Sequence, residues 1–153
     1  MTASRLTRSR GPVLLAALLL ALLAGFATRP PAAYAATINV VAGEVAISAN
    51  GQCSLREAIV NANADAATHT DCAAGSGADT INLAAGTYNI GDSVGAYLYG
   101  NNGTPPVTSV TTIEGNGAAI NRSAGSLRLF LVTDSGNLTL NDLTLTDGAM
   151  NSD

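Results

Sequence analysis

The feature that most constrains this chain is a strand–glycine–strand pattern that recurs three times after residue 78. Each copy has two short runs of alternating, often β-branched residues around a turn glycine, at Gly86, Gly117 and Gly136. These glycines are 31 and 19 residues apart, and discounting much of a long loop at 91–106 brings both intervals to about 20 residues. Such a repeat is typical of a solenoid, in which short strands stack as coils that contact only their neighbours.

The composition favours the same architecture. Aromatic residues make up only 4% of the chain, which contains 16 glycines. Few large side chains are therefore available for a thick globular core, whereas a thin core shared between stacked strands suits this mixture. We predict a mainly β fold that begins a parallel β-solenoid. The alternative is a β-sandwich of hairpins, with a hairpin turn at 114–117.

The N-terminus predicts export. Three arginines precede an apolar run at 13–24, which is too short to cross a bilayer as a helix because that takes ~20 residues. The small-residue signature Ala33-Tyr34-Ala35 follows, as at the cleavage site of a secretory signal peptide. We predict that residues 1–35 are removed, leaving Ala36 or Thr37 first, and that the mature chain is secreted or lies at the cell surface without membrane insertion. The alternative is an N-terminal membrane anchor.

The charge of the mature chain excludes one class of partner. After residue 35 the chain keeps three arginines against all 11 of its acidic residues, and it has no lysine, so the side chains sum to −8. Such a surface repels polyanions, whose binding needs clustered cations. We expect no nucleic-acid partner.

Cys53 and Cys72 are the only two cysteines. We predict that they form one intramolecular disulfide, because export would place them in an oxidising compartment and two cysteines allow a single pairing. The alternatives are a reactive thiol or a metal site, although a metal needs more ligands than two thiols and the lone His69 supply.

A change of hydrophobic period marks a short helix after Cys53. Ser54 and Glu57 stand in an S-x-x-E capping box, in which both side chains bind free backbone amides at a helix start. One apolar stripe follows, and we expect the helix to end near Asn63. The stripe consists of Leu55, Ala58, Ile59 and Ala62.

Before the helix, the run Thr37–Val41 alternates and predicts a strand. A turn near Gly43 then lets residues 45–47 pair with it.

The segment Cys53–Ile59, followed by Asn61-Ala62-Asn63, resembles the motif for which the CSLREA N-terminal domain family is named. The resemblance covers most of the chain after residue 35. It implies an exported protein in which a cap precedes a right-handed parallel β-helix of pectate-lyase-like architecture. Relatives are often long secreted or surface proteins, some similar to polymorphic outer-membrane proteins. Further similar segments are Ala78–Ile81, Ala85–Tyr88 and Thr112–Gly117.

This resemblance implies a cap at 36–77 and the first coils of the β-helix at 78–153, with the inserted loop at 91–106. A helix laid over the exposed end of the solenoid and tethered by the cysteines would protect its open core. Glu57 then caps the helix, and Arg56 pairs with a nearby carboxylate or carbonyl. Because only two or three coils are present, we expect a piece of a longer β-helix or self-association through the C-terminal coil.

Catalytic chemistry finds little support in the sequence. A polysaccharide lyase, the natural enzyme for this architecture, would need carboxylates around Ca²⁺ and a basic residue. Acidic residues at turns are ordinary turn formers, so we predict no catalytic, metal or cofactor site. The alternative is a carbohydrate-active enzyme or a fragment of one. Its candidate residues would be Arg122, Arg128, Asp134, Asp142 and Asp147.

The functional hypothesis is therefore a non-enzymatic secreted or surface module, adhesive or scaffolding. Tyr97 and Tyr99 in the inserted loop are the candidate contact residues, because tyrosine-rich loops make good contact surfaces. The expected ligand is a carbohydrate or another host- or cell-surface molecule.

Overall fold

The computed structural model describes residues 34–97 and 100–148, so the predicted signal peptide lies outside the described residues up to position 33. The described chain is mainly β, as predicted. Its strands are β1 (Thr37–Val40), β2 (Asp79–Leu83), β3 (Thr87–Ile90), β4 (Gly95–Ala96), β5 (Asn101–Asn102), β6 (Val110–Arg122) and β7 (Asn137–Thr146), with the helix α1 (Leu55–Ala64) between β1 and β2.

The strands form a curled parallel sheet of two columns. In the first column β1 pairs with β2, β2 with the first part of β6, and that part with the first part of β7. In the second column β3 pairs with the second part of β6, which pairs with the second part of β7. Every pairing within these two columns is parallel. The inward residues in register are Ile38, Ile81, Ile113 and Leu140 in the first column and Tyr88, Ile120 and Leu145 in the second.

The corner between the columns lies where a hairpin turn was the alternative. β6 passes through it without reversing, with a register shift between Glu114 and Ala118. Asn116 and Gly117 take positive φ angles of 51° and 77°, which bend the strand. The Asn116 amide also donates to the Leu83 carbonyl at 2.9 Å, tying the corner to the neighbouring strand. Because the chain turns a corner and stays parallel, the hairpin-based sandwich is wrong.

The predicted equivalence of the three glycines is also wrong for the third. Gly86 precedes β3 and Gly117 precedes the second part of β6, but Gly136 precedes the first part of β7, where Asn137 pairs with Val110. The true repeat joins Ile81 to Ile113 and Ile113 to Leu140, at 32 and 27 residues. A glycine marks where a chain can turn, and it does not identify which corner of the stack the turn occupies.

A third side of the stack is made by short contacts instead of full strands. The described residues here form two isolated parallel bridges, Asn102 with Arg128 and Val107 with Val132. The first of the two runs predicted around Gly136, at 129–132, is thus reduced to a bridge at Val132.

Residues 45–47 form no strand, which corrects another expectation. The chain turns at Gly43, where φ is +76°, and does not return along β1. Instead, Leu55 donates its N–H to the Glu44 carbonyl at 3.0 Å and Val41 donates to the Cys53 carbonyl at 3.0 Å. The segment therefore leads into α1.

The core lies between the two columns and α1. The stripe of α1 packs on it, as predicted from its spacing, with Leu55, Ala58, Ile59 and Ala62 at most 1% exposed. Ile38, Ile81 and Tyr88 are completely buried against the same cluster. α1 thereby covers the end of the stack at which β1 lies.

Within residues 34–97 and 100–148, the structure contains no helix long and apolar enough to span a membrane.

Candidate functional site

The start of α1 is fixed by a reciprocal pair of side chains. Ser54 is the N-cap residue, and its hydroxyl accepts a hydrogen bond from the Glu57 N–H at 3.3 Å. The Glu57 carboxylate returns to the Ser54 N–H at 3.1 Å, and its second oxygen accepts from the Ser48 N–H at 2.9 Å. Glu57 is 1% exposed, so a buried carboxylate both caps the helix and fixes the segment before it.

Cys53 and Cys72 form the predicted disulfide, and both are buried. The bond joins the residue before the N-cap to the segment that follows α1. Asn61 fixes the same segment from within the helix, because its side chain accepts from the His69 N–H at 2.8 Å and donates to the carbonyls of His69 and Ala73 at 2.9 and 3.0 Å. The polar stretch after the helix is therefore tied down at several points.

Arg56 ties α1 to the two ends of the inserted loop. Its guanidinium donates to both carboxylate oxygens of Asp92, at 3.0 and 3.1 Å, and to the Gly103 carbonyl at 2.7 Å. The side chain is only 4% exposed, whereas that of Asp92 is 74% exposed. Hydrogen bonding and charge from Arg56 lower the pKa of Asp92. A two-oxygen contact of this kind fixes orientation as well as distance.

Asn63 makes a second link, between α1 and the segment that leads into β6. Its amide donates to the Pro106 carbonyl at 2.8 Å and accepts from the Thr108 N–H at 2.8 Å. The polar residues of the 53–63 segment that contact other parts of the chain thus all hold the cap in place.

The inserted loop divides into an outer and an inner part. β4 and β5 form a small hairpin whose described end carries Tyr97, which is 48% exposed; Tyr99 lies outside the described residues. The inner part packs into the body of the fold. Thr104 is buried, and its hydroxyl donates to the Leu129 carbonyl at 2.7 Å. A side chain at Gly103 would approach Ile90 to 2.6 Å, so this close packing requires glycine.

The outer surface of the first column carries two rows of polar residues in register. The threonine row consists of Thr37, Thr80, Thr112 and Thr139. The second row, Asn39, Asn82, Glu114 and Asn141, is joined by side-chain hydrogen bonds from Asn82 to Asn39 at 2.9 Å and from Asn141 to Glu114 at 2.8 Å. Neighbouring strands lie about 4.8 Å apart, so these rows present a regular polar surface.

Of the residues named above for a carbohydrate-active enzyme, Arg128 lies in the parallel bridge with Asn102, and Arg122 contacts the backbone of Asp147. Arg122 donates to the backbone carbonyls of Gly125 and Asp147, which makes it a clamp on the chain. Asp134 precedes β7, while Asp142 lies within that strand at a positive φ of 46°. Among the described residues, no three His, Cys, Asp or Glu side chains are placed to bind a metal.

A small cleft of about 210 Å³ lies beside the cap and is lined by His69, Asp71 and Glu57. Its carboxylates already serve the backbone, since one oxygen of Asp71 accepts from the N–H groups of Asn50 and Gly51 at 2.9 Å. The cleft therefore belongs to the scaffold of the cap.

Sequence reasoning missed Asp92, the partner of Arg56. Arg56 indicates only that a carboxylate or carbonyl lies nearby, and the two residues are separated by 36 positions. No local pattern connects them, because the contact depends on the path that the chain takes from β3 into the inserted loop.

A comparison of this chain with protein families, with curated proteins and with solved structures finds no match.

Proposed function

We propose that this chain forms the capped beginning of a right-handed parallel β-helix of the CSLREA type and that it acts outside the cell as a non-enzymatic adhesive or scaffolding module. The observation that carries the proposal is the covering of one end of a parallel stack by a helix tethered at Cys53–Cys72. The end of a solenoid exposes strand edges and core, and a dedicated cap is the physical remedy.

The strand geometry supports the β-helix. Two parallel columns meet at a corner inside β6, and isolated parallel bridges lie on a third side. Parallel strands in one sheet are joined by right-handed crossovers in nearly all proteins, which favours that hand for the path from β1 through α1 to β2.

The roles of the motif residues support membership of the CSLREA family. Ser54 and Glu57 cap α1, Arg56 joins it to the inserted loop, and Asn61 and Asn63 fix the segments on either side. The disulfide is of the kind that forms in an oxidising compartment, in keeping with removal of a signal peptide at 1–35.

Two surfaces support a role in contact rather than catalysis. The threonine row offers hydroxyls at the regular spacing of the strands, and Tyr97 offers an exposed ring at the end of a hairpin. We propose a carbohydrate or another host- or cell-surface molecule as the ligand. The excess of carboxylates argues against nucleic acid.

The leucines of β7 support self-association as a further property. Leu140 and Leu145 point to the core side of the stack, yet they are 37% and 44% exposed. Pairing of β7 with another strand would cover them. Light scattering on the mature protein tests this proposal; a monodisperse monomer at high concentration would contradict it.

The proposed contact role is tested on a panel of immobilised acidic and neutral polysaccharides, with and without Ca²⁺, by measuring retention and sugar release together. We expect retention without release, weakened by Tyr97→Ala. Ile47→Ala is the matched control, because Ile47 is similarly exposed at 46% but lies on the cap. Sugar release that disappears with Arg122→Ala or Asp142→Ala would replace this proposal by the carbohydrate-active enzyme.

A further inference from the structure

We infer that Asp79 is the receptor for a new N-terminus: cleavage after Ala35 creates an α-ammonium group on Ala36 that forms an ion pair with the buried Asp79 carboxylate and fixes β1 to the sheet. The inference rests on the signal-peptide removal proposed above. It adds a specific cleavage position and a structural consequence of the cut.

The backbone of Ala36 is already held against Asp79 in the chain. Its nitrogen donates to Asp79 Oδ1 at 3.0 Å, and its carbonyl oxygen accepts from the Thr80 N–H at 2.8 Å. Ala36 directly precedes β1, and Thr37 is the first residue of that strand to pair with β2. Asp79 therefore holds the nitrogen that cleavage would free, and Thr80 holds the carbonyl group of the same residue.

Asp79 is a buried carboxylate with unused capacity. It is 1% exposed, and its Oδ1 accepts from Ala36 and from the Ser76 N–H at 2.8 Å. Its Oδ2 is buried and has no hydrogen-bond partner within the described part of the chain. A buried carboxylate is costly unless its charge and its lone pairs are matched. Among the described residues, no ion pair involves Asp79.

Cleavage supplies what this carboxylate lacks. The peptide nitrogen of Ala36 has one hydrogen to donate, whereas the ammonium group formed by hydrolysis of the Ala35–Ala36 bond has three and carries a positive charge. One hydrogen retains the bond to Oδ1, and another is free for Oδ2. Hydrogen bonds between ionised partners are roughly twice as strong as neutral ones.

The structure also decides between the two N-termini that the sequence leaves open. Tyr34 is 82% exposed and Ala35 is exposed, so the residues before Ala36 can be removed without opening β1. A cut one residue later would leave Thr37 first and would remove both backbone hydrogen bonds of Ala36. Ala36 is therefore the N-terminus that the fold can use.

The ion pair gives the cleaved protein a characteristic pH dependence. An α-amino group has an ordinary pKa of about 7.7–8.0, and pairing with a carboxylate raises it in the folded state. The added stability is thus fully present below about pH 8 and is lost as the pH rises through the raised pKa. The uncleaved chain has a peptide N–H at this position and lacks this dependence.

The chain contains no lysine, so the α-amine is the single primary amine of the mature chain. Acetylation therefore modifies that group selectively. The full chain is exported, the mass of the product is measured, and one half is acetylated under denaturing conditions and refolded. Both halves are melted between pH 6 and pH 10. We expect a product that begins at Ala36 and a melting temperature at pH 6 about 5 °C lower after acetylation. The difference should vanish by pH 10 and should be absent in Asp79→Asn.

A second measurement does not depend on any variant folding. The amine of the native product should react with an acetylating reagent at pH 7.5 much more slowly than that of the product unfolded in urea. If the product begins at Ala36 but acetylation leaves its melting temperature unchanged, and its amine reacts as fast when folded as when unfolded, the ion pair is overturned while export stands. A product beginning elsewhere, or no export, would overturn both the ion pair and the proposed cleavage.

Discussion

Inward-facing apolar residues are buried at one end of the stack and partly exposed at the other. In the first column Ile113 is completely buried, whereas Leu140, its partner in register on β7, is 37% exposed. In the second column Ile120 is completely buried and its partner Leu145 is 44% exposed. At the other end Ile38 is completely buried although β1 is also a terminal strand of its column.

The difference is due to α1 and the contacts that hold it in place. At the β1 end the helix supplies an apolar face, and the disulfide, the capping box and the Arg56–Asp92 pair hold it there. Nothing comparable covers β7 among the described residues. Inward orientation on a strand therefore does not by itself bury a side chain in such a stack, because burial requires a further layer.

The largest expected effect tests this comparison directly. Ile113→Ala should lower the free energy of unfolding by about 4 kcal/mol, through lost burial and the cavity left behind. Leu140→Ala, in the same column, should cost about 1 kcal/mol, because Leu140 is 37% exposed and less of it is removed from water on folding. Urea unfolding of both variants gives the two values. Equal losses would mean that β7 is covered in solution and that the two ends are alike.

Removal of the disulfide should destabilise the protein at its capped end. Cys72→Ser should lower the free energy of unfolding by about 3 kcal/mol, because the bond closes a loop with a sequence separation of 19 residues. The melting temperature is the measurement, and wild-type protein in reductant is the control that should match the variant. Thiol labelling that found both cysteines free after oxidative expression would contradict the bond.

The capping box should contribute less. Ser54→Ala should cost about 1 kcal/mol, since the Glu57 N–H loses its acceptor. Ser48→Ala is the matched control: the Ser48 side chain is exposed, and it is the backbone N–H that contacts Glu57. Chemical denaturation should show no change for the control. Equal losses in the two variants would exclude the cap bond as the cause.

The smallest effect concerns pH. Arg56 holds the pKa of Asp92 below its ordinary value of 3.8, so this pair contributes stability above that value and loses it as the pH falls through the lowered pKa. Because Asp92 is largely exposed, the contribution should be below about 1 kcal/mol. Comparing acid unfolding below pH 4 for wild type and Asp92→Asn isolates it. Parallel curves would show that the clamp depends on the Gly103 carbonyl instead.

Local patterns predicted the cap well because their partners are close in sequence. The S-x-x-E spacing predicts a capping box, and the structure contains one at Ser54 and Glu57. The helix was expected to end near Asn63 and ends at Ala64. The disulfide was predictable for another reason, since two cysteines allow a single intramolecular pairing.

The sequence by itself determined the helix α1, the strands of the two columns and their apolar faces, because 2- and 3.6-residue periods are properties of the local backbone. The tertiary structure alone decided that Gly136 lies at a different corner from Gly86 and Gly117, that Arg56 meets Asp92, and that Asp79 receives Ala36. These outcomes depend on the length and path of the connections between strands. A chain of strands with similar apolar patterns permits several registers, and only the packed stack with α1 over its end selects one.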